Sequence, residues 1–581
     1  MSMKEFTMVL LRMLLALQIF IAAPIWAQEA PLILASGKGE IAHPDVAEVG
    51  IGLASVADWS TQQPFIDVMK TARPWIGHMP GQFGGMSYEE LVERGVLDGD
   101  GWPLRIPPEL GSIGTLVLTD MPEAAVSLRG GYRVEYDGSG IVEISGRARN
   151  VRYGEGAVTF DYEPGPGLVE IRIQRSLSSD PVRNITVIKE SHLARYATGE
   201  RFNPDWIERI DGFKGLRFMD WMQTNNSTLS DWTARPIPDD FTYSWRGVPI
   251  EVQVALANEL AIDPWFNMPH LADDAFVRAF AEYVRTNLDP KLKAYVEFSN
   301  EVWNWQFDQA IWADEQALAR WGVNDAWVQF YALRATEVAQ IWSEVFEDTA
   351  ADRLVNVIST QTGWIGLEEA ILEAPLWQAE GAGKPIPAEA FDAYAVTGYF
   401  SGIVGFLEFE DLVQGWLADS LIQAQDAATS SRLSGEAAAR YIAKHRYDHA
   451  SAVAARDVRD GSISGTPDVA VTDLIERIWP HHAAVARKYD LDLIMYEGGT
   501  HVVGLGPQLD NPELTAFMLH FNYTDEVAAI YTTILEAWRD IGGGLFTTYS
   551  DVYAPTKWGS WGGLRHLDDE NPRWDALIAF Q

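Results

Sequence analysis

The sequence predicts an α/β protein built on a closed (β/α)8 TIM barrel, with a small all-β domain inserted into it. About eight segments with the pattern of a buried strand are each followed by a helical pattern. Strands that alternate with helices in this way pair in parallel, and eight such units favour a closed barrel over an open sheet. No glycine-rich phosphate loop follows any of these strands, so a nucleotide-binding fold has little support.

The composition excludes several classes of function. The chain has 581 residues, no cysteine and a formal charge of −38. An acid excess of this size argues against nucleic acid or an anionic membrane as partner, because phosphate contacts need a basic surface. The absence of cysteine rules out a disulfide framework, a thiolate nucleophile and a cysteine zinc site.

The first 27 residues have the pattern of a signal peptide. Lys4 and Arg12 precede an apolar run, and the segment closes on the small residue Ala27. The apolar run is shorter than the ~20 residues that a membrane span needs, which disfavours the alternative of an uncleaved anchor. We therefore expect an exported protein, periplasmic or secreted, that does not stay in the membrane after signal removal.

The barrel is expected to start within residues 28–96, with its first strand at 46–53. Residues 97–200 then change character: glycine and proline are dense, short alternating runs recur, and Asp137-Gly138-Ser139-Gly140 is a hairpin signal. This segment predicts an inserted domain resembling a small β-sandwich.

The remainder of the barrel is expected over residues 201–581. A helix, or a helix with a leading strand, is predicted over residues 248–262. The run Pro264-Trp265-Phe266-Asn267-Met268-Pro269 follows it. The other predicted strands are 215–221, 293–298, 354–358, 391–396, 491–496 and 544–549. The predicted helices are 273–287, 307–321, 326–346, 471–489 and 516–540, with an alanine-rich helical insertion near 405–470.

Two predicted strands, the fourth and the seventh, end near a glutamate. Glu301 follows Asn300 in a run that continues to Trp303, and Glu497 precedes Gly498-Gly499, which would let backbone and ligand approach closely. Chemistry in such a barrel takes place at the carboxyl ends of the strands. Two carboxylates across a cleft are what glycoside hydrolysis needs, one as acid and one ionised, and the apolar surroundings of Glu301 would favour its protonated form. Glutamates at strand ends also cap helices or pair with arginines, and Glu297 is expected to be structural.

These motifs resemble the retaining glycoside hydrolases of clan A, a large group of (β/α)8 barrels. The run Glu297-Phe298-Ser299-Asn300-Glu301-Val302-Trp303-Asn304 is similar to the clan's Asn-Glu acid/base motif on strand four, and Tyr496-Glu497-Gly498 to its nucleophile motif on strand seven. The resemblance covers about residues 46–95 and 200–581. The two glutamates lie further apart in sequence than is usual for the clan, which the helical insertion accounts for.

The resemblance implies a role for several residues. Glu497 would be the nucleophile, Glu301 the acid/base, and Asn300 a ligand of the sugar 2-hydroxyl. Tyr399 looks like the residue that hydrogen-bonds the nucleophile. Arg217, which we group with the substrate-binding residues, looks like the clan's buried arginine, and Trp558 or Trp561 like the tryptophan under the sugar. A retaining mechanism predicts carboxyl groups about 5–5.5 Å apart, whereas a separation above about 6.5 Å would indicate inversion.

Aromatic side chains at predicted strand ends suit a carbohydrate cleft, because sugar C–H faces stack on rings; packing in the core is the alternative for about half of them. The tryptophans concerned are Trp59, Trp221, Trp265, Trp303, Trp305, Trp364, Trp558 and Trp561. Four polar residues at strand ends are further candidates to bind hydroxyl groups: Asp58, Asp220, Asn225 and His270.

No catalytic metal and no cofactor is expected. Asp98-Gly99-Asp100-Gly101 resembles part of a calcium loop but lacks the closing glutamate, so a turn is favoured. His481 and His482 are adjacent on a helix, where neighbouring side chains diverge, which disfavours shared metal ligation.

The partner expected from these features is a poly- or oligosaccharide, and a neutral one is favoured by the negative charge of the protein. A non-catalytic carbohydrate-binding protein and a lyase or transglycosylase remain as alternatives, since a fold does not determine activity. The inserted domain is equally compatible with a sugar-binding module, a wall of the cleft or a spacer. Sugar identity, linkage and oligomeric state stay open.

Overall fold

The computed structural model describes residues 48–154, 156–381 and 384–581. The predicted signal peptide, residues 1–27, and the first part of the predicted barrel segment, residues 28–47, lie outside the described residues. Eight parallel strands close into a barrel, which confirms the predicted fold class. The first strand pairs with both the second, through Gly50 and Gly215, and the eighth, through Val49 and Phe546.

The barrel strands follow one another around the barrel in chain order. They are Val49–Gly52, Gly215–Arg217, Asp263–Met268, Ala294–Phe298, Leu354–Ser359, Ala393–Phe400, Asp492–Thr500 and Phe546–Tyr549. The predicted fourth and seventh strands are therefore the fourth and seventh strands of the barrel. Burial explains their composition, because nearly every residue of these strands is covered on both faces.

Helices surround the barrel and bury one apolar face against it. The helix Asp274–Asn287 illustrates the pattern: Phe276, Phe280 and Val284 are buried at helical spacing, and the Asp273 side chain accepts a hydrogen bond from the Phe276 backbone N–H. The longer helices outside the helical insertion are Ile250–Leu260, Asp274–Asn287, Asp308–Trp321, Trp327–Phe346, Trp479–Tyr489, Pro512–Phe521, Asp525–Asp540 and Pro572–Phe580. The shorter ones are Tyr88–Glu93, Leu193–Ala197, Pro204–Ile210, Ala350–Arg353, Leu367–Glu373, Pro375–Gln378 and Val471–Asp473.

The helix predicted over 516–540 is two helices in the structure. The first ends at Phe521 and the second begins at Asp525. The Asn522 side chain stabilises the turn between them, because its amide donates to the carbonyl oxygens of both Met518 and Val502 and so ties the turn to another segment.

Two antiparallel sheets form the inserted all-β part. One has the strand order Arg183–Lys189, Gly130–Asp137, Ala157–Tyr162, Arg149–Tyr153. The other has the order Gly85–Met86, Ile76–His78, Ser112–Val117, Val169–Ser176, Gly140–Gly146. The predicted insertion began at residue 97, whereas its sheets begin at Ile76. The strands Ile76–His78 and Gly85–Met86 are too short to show an alternating pattern in the sequence.

The insertion occupies the connection between the first barrel strand and the first barrel helix, Pro204–Ile210. Connections of this kind lie at the carboxyl ends of barrel strands, so the insertion stands on that face of the barrel. It is joined there by Arg73, whose guanidinium donates to both oxygens of Asp58 at 3.0 and 2.9 Å. The loop after the second strand also enters it: Phe241 is fully buried and stacks on Trp75.

The helical insertion follows the sixth barrel strand, as predicted from residues 405–470. It consists of the helices Glu410–Ser430, Gly435–His445 and Asp448–Asp460. Its first helix packs on the other two, and the third contacts Asp525–Asp540. Among the helices of the described segments, none is both long and apolar enough to cross a membrane.

Candidate active site

The two predicted glutamates meet at the carboxyl ends of the barrel strands. Glu301 lies three residues beyond the fourth strand, and Glu497 lies within the seventh. The Tyr496 hydroxyl donates to Glu301 Oε1 at 3.0 Å, so the residue just before Glu497 touches Glu301. The charge of Glu301 also raises the pKa of Glu497. The two carboxyl groups therefore share one site, as the sequence predicted.

A bulge in the seventh strand lets adjacent side chains reach this site. Along the pairing with the sixth strand, Met495 is opposite Val396 and Glu497 is opposite Thr397, so Tyr496 is an extra residue. In a regular strand, Tyr496 and Glu497 would point to opposite faces. The bulge re-aims the strand, and both side chains bind partners at the centre of the barrel end.

Glu497 is buried and accepts two hydrogen bonds. Arg217 Nη1 donates to Oε1 at 2.6 Å, and the Tyr399 hydroxyl donates to Oε2 at 2.9 Å. The pKa of Glu497 is raised to about 7: burial raises it most and the charge of Glu301 adds to the rise, while Arg217 and Tyr399 oppose it. Both contacts are with donors, which favours the ionised carboxylate over the acid. Tyr399 thus contacts Glu497 as the resemblance implied.

Arg217 is a buried residue that organises carboxylates. Its second guanidinium nitrogen donates to Glu297 Oε2 at 2.9 Å and to Asn300 Oδ1 at 2.8 Å. The sequence prediction grouped Arg217 with substrate-binding residues, but only 2% of its surface is exposed. Its role in the structure is to hold Glu497 and Asn300 in place.

Glu297 connects three strands below the site. Its carboxylate accepts hydrogen bonds from Trp265 Nε1 at 3.1 Å, Asn267 Nδ2 at 2.8 Å and Ser359 Oγ at 2.5 Å, besides Arg217. Every one of these donors is buried. Glu297 is structural, as expected, and it fixes the position of Arg217.

The backbone around Glu301 is in an unusual conformation. Ser299 and Glu301 both have positive φ, 62° and 43°. Such values are uncommon outside glycine and persist where the surroundings enforce them, often at functional sites. Asn304 contributes here, because its N–H donates to the Glu301 carbonyl oxygen and its side-chain amide donates to Glu301 Oε2 at 2.9 Å.

Asn300 is held by its neighbours on both sides. Besides accepting from Arg217, its amide donates to Asn225 Oδ1 at 3.1 Å. Gln309 Nε2 donates to the same Asn225 oxygen and to the Asn300 carbonyl oxygen. The predicted contact of Asn300 with a sugar hydroxyl stays a prediction; in this structure only 2% of its surface is exposed.

The tryptophans divide into exposed and buried sets. Trp59, Trp305, Trp364 and Trp558 are between 37% and 53% exposed, and Trp561 is half-buried against the ring of Tyr399. Trp221, Trp265 and Trp303 are buried. Placing Trp265 and Trp303 on a sugar-binding surface was wrong, because Trp265 bonds Glu297 and Trp303 packs between Tyr331 and Tyr496.

The four polar candidates also separate. Asp220 joins the site, since it accepts a hydrogen bond from the Tyr549 hydroxyl at 2.9 Å and its charge raises the pKa of Glu497. Asn225 supports Asn300. Asp58 is buried in its ion pair with Arg73, and His270 is buried with its ring against Trp312.

The two glycines after Glu497 serve the protein interior. A side chain at Gly498 would meet Met495 and Phe546, and one at Gly499, where φ is +130°, would meet the Tyr531 hydroxyl oxygen at 2.5 Å. The sequence interpretation, that these glycines allow a ligand to approach, does not describe their packing.

Three site residues were not predicted: Tyr496, Tyr549 and His501. His501 stacks on Trp561 with ring centroids 5.2 Å apart and lies 5.9 Å from the Tyr399 ring. Burial lowers its pKa to about 4, so its imidazole is neutral at pH 7. Tyr549 ends the eighth strand and His501 follows the seventh, and these positions are the signal that would have indicated them.

A possible metal cluster among the described residues consists of Glu368, His481 and His482. The adjacent histidines converge on one place, although their neighbouring positions argued against it. His482 Nδ1 bonds the Tyr394 hydroxyl and Nε2 the Thr362 carbonyl oxygen, while His481 Nε2 bonds Glu368 Oε1 at 2.6 Å. With both nitrogens of His482 engaged, the cluster is a hydrogen-bond network.

Residues 98–101 form a turn, as the sequence favoured: Asp98 Oδ1 accepts hydrogen bonds from the backbone N–H groups of Asp100 and Trp102.

Comparison with known proteins gives a likeness to solved structures at low similarity. No family model and no curated protein sequence matches the chain. A xyloglucan-specific endo-β-1,4-glucanase of glycoside hydrolase family 5, from a metagenomic library, is 11% identical; the match covers 65% of this chain and 86% of that one, with a TM-score of 0.29. Fungal β-1,4-galactanases match at 9% identity, covering 62% and 86%, with a TM-score of 0.25.

A family 5 glycoside hydrolase from Prevotella bryantii matches at 9% identity, covering 64% of this chain and 84% of its own, with a TM-score of 0.28. Sequence identities and TM-scores this low give no information about the activity of this chain. The candidate site rests on the geometry of its own residues.

Proposed function

We propose that this protein is a retaining glycoside hydrolase, with Glu497 as nucleophile and Glu301 as acid/base. One observation carries the proposal: Glu497 is held between Arg217 and Tyr399, and Tyr496 links it to Glu301 across the end of the barrel. Two carboxyl groups with different hydrogen-bond partners suit two different chemical roles.

The proposed reaction is a double displacement. A Glu497 oxygen forms a bond to the anomeric carbon while the bond from that carbon to the leaving oxygen breaks, and Glu301 gives its proton to that oxygen. Water then attacks the glycosyl ester, Glu301 takes the proton of the water, and the Glu497 carboxylate is released. Arg217 favours the ionised form of Glu497 that attacks in the first step, and Asn304 with Tyr496 orients Glu301.

We further propose that the substrate is a neutral glycan and that the protein is exported. Within the part of the chain that the structure describes, Arg217 is the cation that binds Glu497, none binds Glu301, and Arg217 is already engaged with three side chains. A uronic acid in the cleft would therefore face Asp220, Glu301 and Glu497 without a free cation among these contacts. Export rests on the sequence pattern of residues 1–27 alone.

Reducing-end release from neutral and anionic polysaccharides tests the function, with wild type beside Glu497→Ala and Glu301→Ala. We expect one neutral glycan to be cut, both variants to lose at least about a thousandfold in kcat, and azide to restore Glu497→Ala as a glycosyl azide. NMR of the first product should show retained anomeric configuration.

Glu344→Ala is a matched control, because that glutamate is 64% exposed near the end of the helix Trp327–Phe346, which leads to the amino end of the fifth barrel strand. A wild-type protein that binds a glycan and never cuts it would favour the carbohydrate-binding alternative. An unsaturated uronic product would favour a lyase.

A further inference from the structure

The side of the site next to Glu301 carries a row of three indole rings. Trp305 follows Glu301 by four residues, Trp364 follows the fifth barrel strand, and Trp327 begins the helix Trp327–Phe346. The ring centroids of Trp305 and Trp327 are 5.0 Å apart, and those of Trp327 and Trp364 are 6.2 Å apart. We call these three residues the tryptophan row.

Exposure shows which rings of the row are available to a ligand. Trp327 is only 6% exposed, whereas Trp305 and Trp364 are 37% and 47% exposed. The buried ring therefore supports the two outer ones. Large aromatic side chains held open to solvent in this way mark binding surfaces more often than isolated exposed residues do.

The chemistry around the row suits a neutral, hydroxyl-rich ligand. Its immediate sequence neighbours are Asn304 and Gln306 on one segment and Gly363 and Ile365 on the other, with no charged side chain among them. Indole faces stack on apolar C–H surfaces, and amides bind hydroxyl groups. A chain of sugars offers both kinds of surface.

The row also has a defined place in the proposed reaction. Glu301 donates its proton to the leaving oxygen, so the sugars on the leaving side extend over the segment that follows Glu301. That segment contains Asn304, which bonds Glu301, and then Trp305. The other exposed tryptophans, Trp59 and Trp558, follow the first and eighth strands, across the barrel from the fourth and fifth.

We infer that the tryptophan row binds the leaving-group portion of a glycan chain and that Trp59 and Trp558 bind sugars on the other side of the broken bond, so that the enzyme cuts inside a polymer rather than at its end. The inference rests on the proposed function and adds to it the mode of attack and the surface that sets it. A glycan chain that extends over the tryptophan row at one end of the cleft and over Trp59 and Trp558 at the other has sugars on each side of the broken bond.

Three variants test the row: Trp305→Ala, Trp364→Ala and the double variant. Hydrolysis of the polymer is compared with hydrolysis of a glycosyl fluoride, whose leaving group is a single atom and leaves the row empty. We expect kcat/KM on the polymer to fall about tenfold or more in the double variant, because KM rises, while hydrolysis of the fluoride stays unchanged. Trp305→Phe should retain most of the polymer activity that Trp305→Ala loses.

Trp377→Ala is the matched control. This half-buried tryptophan lies on the helix Pro375–Gln378, after the fifth barrel strand, and its ring contacts the Lys384 ammonium group, 5.4 Å from the ring centroid, rather than the row. Affinity electrophoresis of all variants in the same polysaccharide supplies a binding measurement that does not depend on cleavage.

The outcomes separate the two proposals. Rapid loss of polymer viscosity by the wild type, with impaired cleavage and binding in the double variant, supports the inference. Cleavage that is equal in all variants, or release of short products from one chain end only, overturns it and leaves the hydrolase proposal intact. Binding that depends on the row without any cleavage overturns the hydrolase proposal and the mode of attack, but not the surface.

Discussion

At the residue scale, the site is a chain of buried hydrogen bonds that ends at two carboxyl groups. Glu297 holds Arg217, Arg217 holds Glu497 and Asn300, and Tyr496 joins the neighbour of Glu497 to Glu301. A buried ion pair adds little net stability but becomes costly when one partner is removed. The value of Arg217 is therefore the position and charge state that it gives to Glu497.

Arg217→Met should shift the acid limb of activity to higher pH. Glu497 attacks only as the carboxylate, and its pKa is about 7 with Arg217 lowering it. Activity is lost as pH falls through this value, and without the cation the carboxylate becomes less favourable, so the limb moves upward. We expect kcat/KM at pH 7 to fall at least about a hundredfold.

The measurement is kcat/KM from pH 4 to 10 for both proteins. Arg278→Met serves as control, because Arg278 is 44% exposed and pairs with Glu344 on the surface. A pH profile for Arg217→Met that coincides with that of the wild type contradicts this account of Arg217.

The sequence was sufficient to place Glu301 and Glu497 at the ends of the correct strands, because strand–helix alternation determines where strand ends lie. It could not place Tyr496 in the site, since alternation sends the neighbour of an inward residue outward and the bulge is a property of pairing with the sixth strand. Nor could it separate Trp265 from Trp305, because indole rings suit both a core and a surface.

At the element scale, strands and helices long enough to show a period were predictable and short ones were not. The helix Asp274–Asn287 agrees with the predicted 273–287, whereas the strands Ile76–His78 and Gly85–Met86 moved the start of the all-β part. Backbone geometry at individual glycines was also invisible in the sequence. Gly499 has φ of +130°, whereas Gly415 lies in the helix Glu410–Ser430.

The pair Gly499→Ala and Gly415→Ala should change stability in opposite directions. At Gly499 the new methyl group meets the Tyr531 oxygen in a backbone conformation that alanine resists, so we expect a loss of about 3 kcal/mol. At Gly415 nothing lies within 4 Å of the added atom, so helix propensity should give a gain of up to about 1 kcal/mol.

Urea unfolding, followed by tryptophan fluorescence, measures both changes. Gly499→Ala should also lower kcat, because it distorts the strand that carries Glu497, while Gly415→Ala should leave kcat unchanged. Equal stability of Gly499→Ala and wild type would contradict the packing argument.

At the scale of the whole molecule, two apolar cores meet at the carboxyl face of the barrel. One surrounds the barrel, and the other fills the all-β insertion and includes Trp75 and Phe241. Phe241 belongs to the loop after the second barrel strand, so the barrel contributes a side chain to the core of the insertion. This arrangement favours an insertion held rigidly as a wall beside the site over one that moves as a separate module.

Phe241→Ala should uncouple the insertion from the barrel. The ring is fully buried, stacks on Trp75 with ring centroids 5.3 Å apart and lies against Trp102. Its removal leaves a cavity, which should lower the free energy of unfolding by about 3–5 kcal/mol. Because the cavity is confined to the core of the insertion, we expect calorimetry to resolve a new transition at lower temperature, ahead of that of the barrel.

Leu407→Ala is the control. This side chain is 48% exposed in the helical insertion, and its removal should leave the wild-type profile unchanged. A variant that unfolds in one step with the whole midpoint lowered would mean that insertion and barrel form a single cooperative unit, whose wall cannot move without unfolding the site.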